Sequence, residues 1–384
     1  MNHRNCFEAL DRSLTDILDS RDSHIETKLF GGKTVLLGGD FRQILPVIIG
    51  GSRQDTINAS LSRSSLWASC KIFRLKKNMR LLSNLIDSNL RTSMNTFAEW
   101  ILNIGDGKIA ARKFEEEEDE ATWIKIPEDL LIKSTDDPIH DIASVIYSGI
   151  EEKYYDIMYL TERAIVTPTN ETIDKVNAYV LSLIPNEERI YYSSDSICKA
   201  SICEEDQDIL YPIEFLNSLN FNGLPKHELR LKVGAPIMLL RNINQNSGLC
   251  NGTRLIITQT ATRVIEAKII TGNNVGTKVY IPRITMQATE HKWPFIFKRT
   301  QFPVRLCYAM TINKSQGQAL KHVGLYLPKP VFSHGQLYVA VSRVTSCEGL
   351  KILIENESPE KEGYTKNIVY KEIFDDLISN NTSG

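Results

Sequence analysis

Apolar residues open the chain at helical spacing. Phe7, Leu10, Leu14, Ile17 and Leu18 fall on one face, and steps of three and four predict an amphipathic helix. Residues 33–40 (KTVLLGGD) then read as a buried strand that ends in a glycine turn. Helical character dominates from about residue 81 to residue 102. Residues 163–168 (RAIVTP) form a second short apolar strand, after which Asn170 can cap a helix carrying Ile173, Val176, Val180 and Leu183 inward. Strand followed by helix, with polar residues at the junction, is the grammar of a parallel α/β sheet.

Between about residues 233 and 284 the period changes. Runs at 236–241, 253–258, 264–270 and 278–284 are rich in β-formers, and Asn251-Gly252 and residues 272–276 (GNNVG) punctuate them as turns. These runs predict a small antiparallel barrel inserted into the α/β domain. The α/β grammar resumes with strands at 305–310 and 323–327, a helix over 332–341 and a last strand at 351–354. The acidic block at 115–120 (EEEEDE) reads as a solvated loop, and the polar tail after Glu355 as loosely held.

Composition sets outer bounds. With 42% hydrophobic and 24% charged residues the chain belongs with folded soluble proteins. At about 100–200 residues per domain, its 384 residues predict two or three domains. Lys and Arg total 45 against 47 Asp and Glu, which excludes a histone-like basic mass and still allows a local basic groove. The apolar runs fall well short of the about 18 residues of a membrane helix, so no membrane partner is expected. Residues 1–10 lack the apolar core of a secretory signal. Seven cysteines without a CxxC pair, of which Cys198 and Cys203 are the closest, suit neither a disulfide framework nor a zinc site. Reduced thiols in an intracellular compartment are expected, and no metal-ligating set is assigned.

Three stretches carry candidate chemistry. Residues 31–34 (GGKT) resemble the end of a phosphate-binding P-loop, but Thr27 stands where that motif needs its first glycine. A strand is also expected after Lys33-Thr34 where a helix is required, so a turn is the better reading. Residues 38–43 (GGDFRQ) place Asp40 at the end of an expected strand, where α/β proteins bind ligands. Asp40 could touch a metal-bound phosphate, and Gln43 could orient a water or sense a γ-phosphate. A tight glycine turn accounts for the same residues equally well. Residues 291–299 (HKWPFIFKR) mix bases and aromatics in a way that can stack on nucleobases. Aromatics at this density are more often core, and the core reading leads.

The stretch GDFRQILPV at 39–47 resembles motif III of the Pif-type (petite integration frequency) DNA helicases of superfamily one, in the form common in plants and helitron-like elements. Further landmarks follow in the family's order. LKKNMR at 75–80 resembles motif IV, and FAEWILNIGDG at 97–107 is similar to a stretch downstream of it. ERAIVTPTN at 162–170 resembles motif IVa, YAMTINKSQGQ at 308–318 motif V, and YVAVSRV at 338–344 motif VI.

The resemblance implies an α/β fold: part of a first RecA-like domain over 1–75, and a second RecA-like domain over 76–229 and 301–356. A Src-homology-three-like barrel would be inserted at 230–300, with a polar tail at 357–384. It implies that Gln43 senses the γ-phosphate and that Arg80 and Arg343 are arginine fingers, a role a planar guanidinium fork suits. Asp40 and Gly317 would join them at the nucleotide. Thr311, Asn313, Lys314, Ser315 and Gln316, with Thr167 and Asn170, would receive the phosphodiester backbone. For Asn170 ordinary helix capping is an equally good account.

The activity implied is ATP- and Mg²⁺-dependent 5′-to-3′ unwinding of DNA in repair, recombination and telomere maintenance. Single-stranded or forked DNA would be the partner of a monomer in the nucleus or, second, the mitochondrion. The family's machine needs a P-loop lysine motif and a strand-end Asp-Glu motif, and neither motif is found in these 384 residues. Residues 1–12 (MNHRNCFEALDR) resemble the helix that follows the acidic pair, so the chain is expected to begin just downstream of it. Two alternatives stay open: a non-catalytic single-strand-binding module, and an inactive relic of such a helicase.

Overall fold

The computed structural model describes residues 1–18, 28–75, 77–79, 88–114, 123–198, 211–288, 293, 295–355 and 358–374. They form two compact units. The first comprises residues 1–132, 315–321 and 325–384, and the second residues 133–314 and 322–324. No helix among the described residues is long and apolar enough to cross a membrane.

The first unit opens with the expected helix, Arg4–Leu18. Its apolar face is amphipathic but not covered: Leu10 is 46% and Ile17 69% exposed. The turn Leu29–Gly32 follows. Phe30 takes a left-handed φ of 54° there, with its N–H donated to Asp11 Oδ1. No helix follows Lys33 and Thr34, so the P-loop shape is absent.

Residues 33–40 are not the buried strand their pattern predicts. They carry no strand pairing, and Leu36 is 90% exposed. A strand needs a neighbour to satisfy its N–H and C=O groups, and no described residue of this unit pairs with the segment. Beyond it, Ser52 and Asp55 build a capping box for the helix Arg53–Asn58. Leu45, Ile57 and Ile373 form a small core that packs on Phe41 and Tyr370.

The helix Ser88–Gly105 matches the later part of the expected helical stretch, and residues 81–87 lie outside the described residues, as does the acidic block at 115–120. Ala111–Arg112, Trp123–Lys125 and Tyr364–Lys366 form a three-stranded sheet in this unit. The helix expected over 332–341 is shorter, Gln336–Val341, because Gly335 begins it in a left-handed conformation. The strand Leu350–Ile354 falls where the pattern predicts it.

The second unit is mixed α/β. Arg163–Thr167 pairs in parallel with Ala309–Thr311, in the register Ile165 to Ala309 and Thr167 to Thr311. Helix Asn170–Leu183 follows the first of these strands and buries Ile173, Val176, Val180 and Leu181. The inward position at its end is Leu181, with Leu183 only half-buried. Asn170 does not cap this helix: Thr169 is the capping residue, without a side-chain bond to the helix's backbone N–H groups. The Asn170 amide oxygen instead accepts a bond from Arg305 Nη1 at 2.9 Å.

The β-rich runs form an open antiparallel sheet of five strands. Its order is Lys278–Pro282, Val264–Ile269, Arg254–Thr260, Pro236–Leu239 and Val304–Leu306. Among the described residues it does not close into the expected barrel. Closure requires the two edge strands to pair, but the chain leaves Pro282 and enters a second sheet. There Ile284–Ala288 pairs with Phe297–Gln301, which pairs with Ser194–Ile197.

The strand expected at 305–310 divides in two. Cys307 donates its N–H to Pro236 O at 2.9 Å, while Tyr308 O accepts from Ile165 N–H at 3.0 Å. One apolar run thus serves the antiparallel and the parallel sheet in turn. Asn177, buried in the adjoining helix, fills the break: its side-chain oxygen accepts from Ala309 N–H at 2.8 Å and its amide donates to Leu306 O at 3.1 Å.

Candidate functional site

In the first unit the turn at 40–43 is built from its own sequence. Gln43 N–H returns to Asp40 O at 3.0 Å, and Asp40 Oδ1 accepts Arg42 N–H at 3.1 Å. Three further contacts fix this turn. Tyr338 donates its hydroxyl to Asp40 Oδ2 at 2.7 Å. The buried ring of His334 bonds to Phe41 O through Nε2 at 2.9 Å. Gly335 comes so close that a Cβ there would lie 2.3 Å from Arg42 O, a distance no side chain tolerates. Only glycine, also at φ 72°, lets the helix Gln336–Val341 begin at this point.

Gln43 and Gln316 meet side chain to side chain, Nε2 of Gln316 donating to Oε1 of Gln43 at 2.8 Å. Gln316 and Gly317 (φ 79°) belong to a turn in which Gln318 N–H returns to Ser315 O at 3.0 Å. Arg343, 8% exposed, holds the same turn. Its Nη1 donates to Ser315 O and to Gln318 O, each at 3.2 Å, and its Nε to Val339 O at 2.7 Å. The first unit therefore brings together Asp40, Gln43, Ser315, Gln316, Gly317 and Arg343. Arg80 lies outside the described residues.

Sequence reasoning missed His334 and Tyr338. Tyr338 stood inside the quoted motif VI stretch, and a tyrosine one helical turn before the Arg343 region was the available signal. His334 gave none, because only the fold shows that its ring is fully buried against the 40–43 turn. Burial pushes the Tyr338 hydroxyl above the ordinary phenol range, and the neighbouring Asp40 carboxylate pushes it further. The proton stays on the phenol as a donor. Burial lowers the His334 pKa.

The second unit holds the other candidates. Thr167 is fully buried, and its Oγ1 has no hydrogen-bond partner among the described residues. Thr311 Oγ1 accepts Lys314 N–H at 3.2 Å and so caps the short helix Ile312–Ser315. At four residues that helix presents little dipole, so side chains must supply the site. Asn313 and Lys314 are exposed. Lys314 Nζ donates to Asn251 Oδ1 at 3.1 Å. Partial burial lowers the Lys314 pKa, and the cations Arg305 and Arg241 lower it further. Asp174 is the local carboxylate, bonded by Arg305 Nη2 at 2.8 Å and paired with Lys226 at 3.0 Å.

The aromatic stretch near residue 295 is core, as its density suggested. Phe297 is fully buried and stacks on Phe221 with ring centroids 4.7 Å apart. Arg299 is fully buried in an ion pair with Asp195. Residues 291, 292 and 294 lie outside the described residues.

The described residues do not by themselves hold a magnesium ion or cradle a nucleotide's phosphates. Asp40, the one carboxylate assigned to such a site, is bonded by Tyr338 and faces Arg42 Nη1 at 3.6 Å. Among the described residues no group of three or more His, Cys, Asp or Glu side chains is arranged to hold a metal ion. The turn at Leu29–Gly32 lacks the following helix whose N–H groups would meet phosphates.

Known proteins resemble the chain along most of its length. Residues 1–115 match the family model described as PIF1-like helicase, and residues 214–260 that described as DNA helicase Pif1, 2B domain. The ATP-dependent DNA helicase PIF1 of Homo sapiens is 37% identical over 128 residues, 33% of this chain and 19% of that protein. The chain thus spans about a fifth of that relative in the matched region. The ATP-dependent DNA helicase Pif1 of Bdellovibrio bacteriovorus is 25% identical over 329 residues, 85% of this chain and 60% of that protein.

Among solved structures, Pif1 helicase from Bacteroides in complex with ADP-AlF3 and ssDNA shares the fold. Its TM-score is 0.62 at 21% identity, covering 100% of this chain and 74% of that one. Pif1 helicase from Candida albicans does so with a TM-score of 0.55 at 20% identity, covering 98% and 74%. On its motifs and its matched segments the chain resembles the PIF1-like helicases, and it shares their fold.

Proposed function

We propose that the chain is the single-strand-binding and γ-phosphate-sensing portion of an ATP-dependent, 5′-to-3′ DNA helicase of the Pif type. The observation that carries this reading is the gathering of three motif segments in one unit. Gln43 bonds Gln316, and Arg343 bonds the Ser315 and Gln318 carbonyls. A glutamine proposed to sense a γ-phosphate thus touches a segment proposed to receive DNA. Gln43 and Arg343, with Arg80, would meet the nucleotide. Thr311, Asn313, Lys314, Ser315 and Gln316, with Thr167 and Asn170, would meet the phosphodiester backbone. The solved Bacteroides relative was crystallised with a nucleotide analogue and ssDNA, which fits both halves of the assignment. ATP and Mg²⁺ are the cofactors proposed for the full machine, single-stranded or forked DNA its partner, and the nucleus its first compartment.

The 384 residues contain no P-loop lysine motif, and positioning and metal contacts carry most of phosphoryl-transfer catalysis. The reading therefore gives this chain binding without turnover. Fluorescence anisotropy with a labelled oligothymidylate tests it. Affinity should fall steeply between low and moderate salt, because phosphate contacts release counterions. A salt-independent or absent interaction would remove the DNA-binding assignment. Vigorous DNA-stimulated ATP hydrolysis by the pure chain, lost on replacing Arg343 by Lys, would remove the claim of no turnover.

A further inference from the structure

The turn at residues 251–252 belongs to the five-stranded sheet, yet its side chain reaches the Thr311–Lys314 segment. Asn251 Oδ1 accepts Lys314 Nζ at 3.1 Å. The turn is itself tightly built. Asn251 donates its N–H to Asn242 Oδ1 at 2.8 Å, and Gly252, at φ 89°, donates to Leu239 O at 2.9 Å. Cys250 N–H is held by Thr253 Oγ1 at 3.2 Å. Asn251 is therefore fixed by the sheet before it meets the lysine.

Lysine carries a long, rotamer-rich stem, and ordering such a side chain on binding costs about 0.5–1.5 kcal/mol. An amide oxygen that aims the ammonium beforehand removes part of that cost and leaves the charge intact. A carboxylate in the same place would compete with the phosphate. Two cations, Arg305 and Arg241, act on Lys314, and Asp174 is bonded to the first of them.

We propose that Asn251 is a positioning residue for Lys314, by which the antiparallel sheet sets where a strand's phosphate is received. This rests on the DNA-binding reading above.

The test is binding of the labelled oligothymidylate to the full chain across a salt series, with Asn251→Ala, Asn251→Asp, Lys314→Ala and the Asn251→Ala/Lys314→Ala pair. Asn251→Ala should weaken binding about twofold to tenfold and keep the wild-type salt slope, because the lysine still reaches the phosphate. Lys314→Ala should flatten the slope by about 0.7, one phosphate contact on a single strand. In the Lys314→Ala background, Asn251→Ala should cost nothing more. Asn251→Asp, nearly isosteric on an exposed turn, should weaken binding beyond the alanine variant and flatten the slope, because its charge competes for the ammonium. A general structural role would instead lower affinity in both backgrounds alike.

Wild-type affinity in Asn251→Ala, or losses that add in full with Lys314→Ala, would overturn the positioning role alone. No binding by the unaltered chain would overturn the DNA-binding reading and this proposal with it.

Discussion

Tyr338 donates its hydroxyl to the carboxylate of Asp40 at 2.7 Å, across a sequence separation of 298 residues. The bond changes what Asp40 is for. A carboxylate read from sequence as a phosphate-side ligand is held by a phenol, by Arg42 N–H and by the Arg42 guanidinium. Its work in this fold is to join the 40–43 turn to the helix that leads to Arg343. A shift of either segment is thereby felt by the other, within one unit.

Tyr338→Phe should lower the unfolding free energy by about 1–2 kcal/mol, the usual cost when a half-buried charged acceptor loses a donor. Asp40→Asn should cost at least as much, because one amide oxygen cannot accept from both the phenol and Arg42 N–H, and the charge facing the Arg42 guanidinium is gone. Thermal melts of both variants check this ranking. Equal melting of Tyr338→Phe and the unaltered chain would show that the bond contributes nothing.

His334 should make stability pH-dependent. Its Nδ1 accepts the Tyr370 N–H at 2.8 Å, so Nε2 carries the proton that goes to Phe41 O. A second proton would collide with the Tyr370 donor. Burial already lowers its pKa; Arg53 lowers it further, while Asp40 and Glu372 oppose the shift. With the folded pKa below the unfolded value of about 6.5, the contribution is full above that pH. It is lost as pH falls toward the folded pKa, at up to about 1.4 kcal/mol per pH unit. Melts of the unaltered chain and of His334→Gln between neutral and mildly acid pH should converge as pH drops. Parallel curves would remove His334 as the source.

Arg343 should resist simple use as a catalytic probe. Its guanidinium bonds three backbone carbonyls and the Ser342 hydroxyl. Arg343→Ala strands these acceptors in a buried place, at a cost of about 2–4 kcal/mol. Arg343→Lys keeps the charge but lacks the fork that reaches both Ser315 and Gln318, so it should recover only part of the loss. Differential scanning calorimetry of the two variants tests the order. An alanine variant as stable as the parent would mean that the guanidinium is held for chemistry alone.

Much of the local architecture was legible because period and turn residues are local signals. The strand at Arg163–Thr167, the helix after it and the runs between Pro236 and Pro282 fall close to where alternation, Gly and Asn place them. The failures are questions of pairing. Residues 33–40 have the composition of a strand, but their exposure depends on whether a neighbour lies alongside. Whether the β-runs close into a barrel depends on which edge Ile284–Ala288 joins. The motif stretches pointed to Gln43, Gln316 and Arg343. That Gln43 and Gln316 touch, or that Asn251 meets Lys314, could not be read from any one window.

The second unit offers a test of what holds its three-stranded sheet together, where Arg299 and Asp195 face each other on paired strands. Arg299 and Asp195 are both fully buried and bonded in a fork, Nε to Oδ1 at 2.8 Å and Nη2 to Oδ2 at 2.6 Å. Arg299 Nη1 also reaches Pro225 O at 3.0 Å, and Ser193 Oγ donates to Asp195 Oδ1 at 2.7 Å. Removing one partner leaves a desolvated charge, so Asp195→Ala should cost about 3–5 kcal/mol. Replacing both by apolar residues of similar size removes that orphan charge, so Asp195→Leu with Arg299→Met should be more stable than Asp195→Ala alone. Urea unfolding of the two variants decides the matter. A double variant as unstable as the single one would mean that the bonds from Arg299 to surrounding carbonyls, and not the ion pair, carry the stabilisation.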